Sequence, residues 1–234
     1  MSDKPIIGII GRPGELNIGS DVMMCFDSYR RAVTKLGGIP ILIMPMSDAS
    51  HEKLAPREMA PLTPEDKEDI ITQLKLCDGI ILPGGTKIFE YDKFIAKYLL
   101  DNDIPTLGIC MGMQVMGVVD CDMDTSIIKM NEVEIDHRQR FADYVHDVNI
   151  VDKDSKLYKI LEKDTIRVNS KHRLSITKTK DFKVVALSED GLIEGIELDK
   201  NKFAVGVQWH PEDMVSYDEN MEKLMKTFIN YAKK

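Results

Sequence analysis

The sequence predicts an α/β fold in three layers, a mostly parallel central sheet with helices on both faces. Two observations carry this prediction. Through the first two-thirds of the chain, strand-like and helix-like segments alternate. The strand-like segments are also continuously apolar, as expected of a parallel sheet covered on both sides.

Taken in order, "KPIIGIIG" is a short buried strand leading into a glycine-containing loop. "DVMMCFDSYRRAVTKLGG" has helical spacing, with Val22, Phe26, Tyr29, Val33 and Leu36 on one stripe and Gly37 as its stop. "IPILIMP" is the second strand, followed by a polar, proline-bearing loop from Ser47 to Leu62. Thr63-Pro64-Glu65-Asp66 has the form of a helix start: a capping hydroxyl, proline at the first position, acids in the first turn. That helix is expected to end near Cys77. "DGIILPGG" is a strand entering a double-glycine turn, "EYDKFIAKYLLDND" a helix and "IPTLGIC" a strand. From about Val145 the pattern changes. "HDVNIV", "TIRVNS", "FKVVALSE", "GLIEGIELD" and "FAVGVQWH" are strand-like pieces with turns between them, closed by the helix "ENMEKLMKTFINYAKK". With no internal repeat, the 234 residues are read as one α/β domain, residues 1–234.

Composition narrows the function classes. The 31 basic and 39 acidic side chains leave a net charge of −8, against nucleic acid or an anionic membrane surface as the main partner. No apolar run approaches the roughly 18 residues of a membrane span. "MSDKPIIGIIG" lacks the form of a cleavable signal. Four widely spaced cysteines without a CxxC pair fit a reducing cytoplasm rather than a disulfide framework or a zinc site.

In parallel α/β sheets, ligands bind where strands end and loops lead into helices. Three segments put reactive or flexible residues there: "LPGG", "GICMG" and "VQWHPE". Gly108-x-Cys110-x-Gly112 has the form of a nucleophile elbow with sulfur in place of the serine oxygen. Its glycines relieve the clashes of a tight strand-to-helix turn, and the sulfur meets the positive end of the next helix, which favours thiolate. A thiolate nucleophile needs a proton carrier and a group to orient it; His210 and, two residues on, Glu212 supply both. Backbone N–H groups of Gly85 and Met111 are the candidate oxyanion donors, and Gly84 lets backbone approach a substrate closely. Metal-ligand spacing is absent around His137 and His146, which read as solvated or structural; Cys25 and Cys77 read as core residues within helices. Cys121, among acids in "DCDMD", is a poor nucleophile candidate.

The set "LPGG", "GICMGMQ" and "GVQWHPE" resembles the class I glutamine amidotransferase family. Within it, the chain is most similar to the γ-glutamyl hydrolase branch (peptidase C26) that includes γ-glutamyl-γ-aminobutyrate hydrolase. "SYRRAVTKLGGIPILIMP", "ILPGGTKIFEYDKF", "HDVNIVDKDSKLYKIL", "RVNSKHRLSI" and "DGLIEGIE" resemble that branch in order and spacing, so the similarity covers nearly the whole chain. The resemblance implies a flavodoxin-like fold and a triad of Cys110 as nucleophile, His210 as base and acid, and Glu212 as orienting carboxylate. It also implies oxyanion donation by Gly85 and Met111, and it places Gln114, Asn169, Ser170 and His172 beside the substrate. The branch usually carries arginine where this chain has Met111, and a glycine pair followed by Gln-Asp where it has "VVDCDMDTSI". Its "GG-Asp" loop here reads Gly85-Thr86-Lys87. These departures bear on the leaving amine more than on the reaction.

Three functions follow. The first is hydrolysis of γ-glutamyl amides through a glutamyl thioester, with a small-molecule substrate and neither metal nor organic cofactor. The second is a glutaminase subunit feeding ammonia to a separately docked synthase, since no synthase segment lies within the 234 residues. The third is a binding protein on the same scaffold with catalysis lost. A second copy of the chain, as a homodimer, is a further partner to consider.

Overall fold

Five apolar segments pair in parallel through the centre of the molecule. In spatial order they are Ile39–Ile43 (β4), Ile6–Ile10 (β1), Gly79–Leu82 (β5), Thr106–Ile109 (β6) and Ala204–Val207 (β13). Four antiparallel strands continue the same sheet: Ile193–Glu197 (β12), Lys183–Ser188 (β11), His146–Ile150 (β8) and Thr165–Val168 (β9). Two short ribbons stand apart, Arg12–Glu15 (β2) with Asp21–Met24 (β3), and Ile127–Lys129 (β7) with Leu174–Ile176 (β10). The computed structural model describes residues 3–15, 21–45, 61–121, 126–129 and 134–233.

Alternation along each strand sends side chains to both faces, and helices cover both. Ile7, Ile9, Ile81, Leu107 and Val205 share one core with helices Asp27–Lys35 (α1), Lys156–Leu161 (α5), Pro211–Met214 (α6) and Glu219–Tyr231 (α7). Ile10, Ile80, Leu82 and Ala204 share the other with Pro64–Leu74 (α2), Glu90–Asp101 (α3) and Met111–Val118 (α4). α4 is buried along its whole length, which its run of methionines, valines and glycines permits.

The helix signals are placed as the sequence predicts. Thr63 caps α2 in a reciprocal box with Asp66, with Pro64 in the first turn, and Gly37 follows α1 at φ 90°. Two expectations are corrected. The helical stripe drawn from Asp21 begins only at Asp27, because Asp21–Met24 is extended and pairs with Arg12–Glu15. That pairing is made with another segment and leaves no trace in the periodicity of Asp21–Met24 itself. Cys25 consequently lies before α1, and Cys77 lies in the turn after α2, which ends at Leu74; both are half-buried against the two cores. The polar loop expected over Ser47 to Leu62 falls, except for its last two residues, outside the described residues, as do residues 122–125 of "VVDCDMDTSI". No helix among the described residues is long and apolar enough to cross a membrane.

The helix α4 approaches β5 so closely that a Cβ on Gly112 would overlap the Leu82 carbonyl oxygen. Gly112→Ala is therefore expected to destabilise the protein by about 1–3 kcal/mol, an overpacking cost against backbone that cannot rotate away. Urea unfolding of the two proteins, compared at equal m-value, measures it.

Candidate active site

Cys110 joins β6 to α4 in a single residue. Its backbone lies at φ 54° and ψ −109°, a left-handed conformation that costs a residue with a Cβ about 1–3 kcal/mol. Hydrogen bonds on both sides hold it there. The Cys110 N–H donates to Val207 O at 2.8 Å, extending the β6–β13 ladder, and Gln114 N–H donates to Cys110 O at 3.2 Å in the first turn of α4. The side chain is left at the helix N-terminus, buried but for 7% of its surface. Met111 is the first helical residue, so its N–H has no acceptor within the helix.

His210 arrives from the neighbouring strand. β13 ends at Val207, fully buried Trp209 anchors the exit, and His210 becomes the N-cap of α6 with Pro211 in its first turn. Asn169 clamps the histidine backbone on both sides. Its Nδ2 donates to His210 O at 3.0 Å, and its Oδ1 accepts from His210 N–H at 2.8 Å. His210 Nδ1 meets Glu212 Oε1 at 2.8 Å, and the short helix sets this geometry because the two side chains start two residues apart. The imidazole faces the Cys110 thiol closely enough for charge and hydrogen-bond coupling.

That coupling shifts both groups. Burial pushes the Cys110 thiol up, but the His210 charge, its hydrogen bond and the His172 imidazole together hold it below its ordinary value. Burial pushes His210 down, and the Glu212 and Cys110 charges with their hydrogen bonds outweigh this and hold it well above its ordinary value. A depressed thiol beside an elevated imidazole favours the thiolate–imidazolium form, and the two titrations belong to the pair.

The turn that follows β5 closes the site. It runs through Pro83, Gly84 and Gly85, and a Cβ on Gly84 would stand 3.0 Å from His210 Cε1 and 3.5 Å from Cys110 Cβ. Gly84 N–H donates to the Tyr29 hydroxyl at 2.9 Å, and that buried hydroxyl also faces Glu212. Arg12, in β2, is ion-paired with buried Asp92 and donates to Pro83 O at 3.1 Å, while Asp92 accepts from Phe89 N–H at 2.8 Å. The turn is thus tied at both ends. Met111 lies over Gly85, its Cε 2.7 Å from where a Cβ would be.

The remaining sequence candidates are arranged around this set. Gln114 is buried, and its amide donates to Leu174 O at 2.8 Å and Gln208 Oε1 at 3.1 Å. Ser170 donates to His137 O at 2.8 Å. His172 is coupled to Cys110 electrostatically and stands beside Glu194. His137 and His146 are buried, not solvated, and group with His172 and Glu194. Periodicity put Tyr29 on a packing stripe and was silent on its hydroxyl, and Arg12, Asp92 and Glu194 drew no attention. Glu194 carried a usable signal, an acid inside the apolar strand "GLIEGIE". His210, Glu212 and Asp213 also lie near one another, but Glu212 serves His210 and Asp213 is paired with Lys171 at 2.6 Å.

Iodoacetamide reacts with thiolate, so the pH dependence of labelling reads each thiol directly. The Cys110 midpoint is expected below that of Cys77, whose thiol burial and Asp78 push up to about 11. Removing the imidazole in His210→Ala raises the Cys110 midpoint, because burial then acts with less opposition. A Cys110 midpoint at or above an ordinary thiol's, unchanged by His210→Ala, would contradict the pair.

Known proteins resemble this chain over most of its length. Residues 89–212, just over half of the chain and inclusive of Cys110, His210 and Glu212, match the Peptidase C26 family. Protein NtpR of Enterococcus hirae is 30% identical, with 96% of this chain and 98% of that protein aligned. The glutamine amidotransferase-like protein RP404 of Rickettsia prowazekii is 28% identical over 91% of this chain and 92% of its own length. Among solved structures, the Trypanosoma brucei CTPS glutaminase domain with bound acivicin superposes with a TM-score of 0.66 at 17% identity, covering 97% of this chain and 93% of that one. With a nucleophile-elbow turn, a histidine and a carboxylate brought together on a parallel sheet, and a match spanning all three, the chain belongs to the Peptidase C26 family of class I glutamine amidotransferase-like proteins.

Proposed function

We propose that this protein hydrolyses γ-glutamyl amide bonds through a glutamyl thioester on Cys110. Family membership supports amide hydrolysis of the glutamine amidotransferase type. The observation that carries the thioester chemistry is the strained Cys110 turn facing an imidazole whose far nitrogen is held by Glu212 at 2.8 Å.

In this reading the Cys110 thiolate attacks the γ-carbonyl carbon, and the carbonyl electrons move to oxygen, where Gly85 and Met111 N–H groups receive them. The imidazolium of His210 gives its proton to the leaving amine as the C–N bond breaks. Water then attacks the thioester while His210 takes one of its protons, and glutamate leaves as the C–S bond breaks. Glu212 holds the ring and offsets its charge, and Asn169 positions the histidine backbone. Each lost oxyanion donor typically costs on the order of 10²–10³ in rate. The arginine expected after the nucleophile is replaced by Met111, yet Arg12 brings a guanidinium to the same turn, its Nε 3.5 Å from the Gly85 Cβ position.

A second reading is a glutaminase that hands ammonia to a separate synthase, favoured by the likeness to a CTPS glutaminase domain. A panel of γ-glutamyl amides and glutamine, assayed for released glutamate on pure protein, separates the two. Turnover of substituted amides without a partner supports hydrolysis; glutamine turnover that needs an added partner supports the second. Cys110→Ala is expected to abolish turnover with an unchanged circular dichroism spectrum, and Glu212→Gln to lower kcat on the order of 10²–10⁴-fold. Wild-type turnover in Cys110→Ala would refute the mechanism.

A further inference from the structure

Four side chains outside the Cys110 set converge in the interior. Glu194 falls where the β11–β12 register shifts, and around its Oε1 stand His172 Nε2 at 3.3 Å, His137 Nδ1 at 3.7 Å and His146 Nε2 at 3.8 Å. All four side chains are at most 1% exposed. Edges of a tetrahedron of ligands around zinc at 2.0–2.1 Å are ~3.3–3.4 Å long, close to these separations.

The hydrogen bonding shows what is missing from an all-protein account. His146 Nδ1 meets the Asp147 carbonyl at 3.1 Å, and His172 Nδ1 meets the Leu174 carbonyl at 3.1 Å. A carbonyl only accepts, so both Nδ1 atoms carry the proton, and a neutral ring then turns a lone pair from Nε2 toward Glu194. His137 Nε2 lies 3.1 Å from an Asp190 carboxylate oxygen, which leaves its Nδ1 lone pair between Glu194 Oε1 at 3.7 Å and the Ser170 hydroxyl at 3.5 Å. His146 Nε2, His172 Nε2 and both Glu194 oxygens make no hydrogen bond. Acceptors facing acceptors around a buried carboxylate are unfavourable unless a cation sits among them. One proton on His172 would satisfy a single contact; one metal ion satisfies all four. Outer nitrogens held by Asp190 and two backbone carbonyls are also the support that metal-bound imidazoles have.

We propose that His137, His146, His172 and Glu194 form a structural site for one divalent first-row cation, zinc before others. Three imidazoles and a carboxylate match the ligand preference and four-coordinate geometry of zinc, with no position open for water. The ion would join four segments: the one preceding the Arg138–Lys171 bridge, the start of β8, the β9–β10 connection and the β11–β12 hairpin. Leu174 O, which accepts from His172, also accepts from Gln114 of α4, so the cluster is tied to the helix that follows Cys110.

The test uses the full chain, purified without a metal-affinity tag or chelator, with metals measured by inductively coupled plasma mass spectrometry. About one zinc per chain is expected. Chelator-treated protein should take up one Co²⁺ with the intense visible absorption of four-coordinate cobalt, and added Zn²⁺ should displace it and raise Tm. Glu194→Gln and His146→Gln should each abolish uptake. Asp190→Asn, which touches no ion, should keep the stoichiometry and weaken affinity about 10–100-fold. No uptake of stoichiometric Zn²⁺ or Co²⁺ by the chelator-treated wild type overturns the proposal, leaving a protonated His172 against Glu194. Uptake unchanged in both ligand variants overturns it too, by placing the ion elsewhere.

Discussion

The left-handed turn at Cys110 is the constraint around which the rest of the site is arranged. A residue with a Cβ adopts it only where the surroundings offset its cost of about 1–3 kcal/mol. Here the parallel pairing of β6 and β13 extends one hydrogen bond further, from Cys110 N–H to Val207 O, and α4 starts immediately after it. Gly108 and Gly112 flank the turn because nothing larger fits: a Cβ on either would collide with Met116 or with the Leu82 carbonyl. The strain therefore lives at one residue and is held by backbone contacts from three elements.

The same sheet that strains the cysteine delivers its partner. β13 lies beside β6, so the residues just beyond their ends, Cys110 and His210, emerge next to each other although a hundred positions separate them. What remains is orientation, supplied from outside the pair. Asn169 holds the histidine backbone, Glu212 its ring, and Tyr29 accepts from Gly84 N–H beside the carboxylate. The coupled shift of thiol and imidazole in opposite directions is the electrostatic result of packing these groups together away from water.

The antiparallel half of the sheet has a different task. It carries Asn169 toward His210 at one end and collects three histidines and Glu194 at the other side of the same β9–β10 connection. Buried groups of this kind need compensation, and the two clusters find it differently. Around His210 the protein supplies both charges. Around Glu194, His146 Nε2, His172 Nε2 and both carboxylate oxygens make no hydrogen bond.

The sequence by itself determined the alternation of strands and helices, the helix caps at Thr63 and Gly37, and the Gly108-x-Cys110-x-Gly112 and His210-x-Glu212 pairs. These are local patterns: periodicity, capping and turn chemistry act within a few residues and can be read there. It misjudged the segment before Asp27, because the β2–β3 ribbon depends on a partner strand across a connecting loop. Only the tertiary structure decided that Tyr29, Arg12 and Asp92 brace the turn at Gly84, and that His137, His146, His172 and Glu194 meet. Those contacts join residues from separate strands and loops, and strand order and register set them.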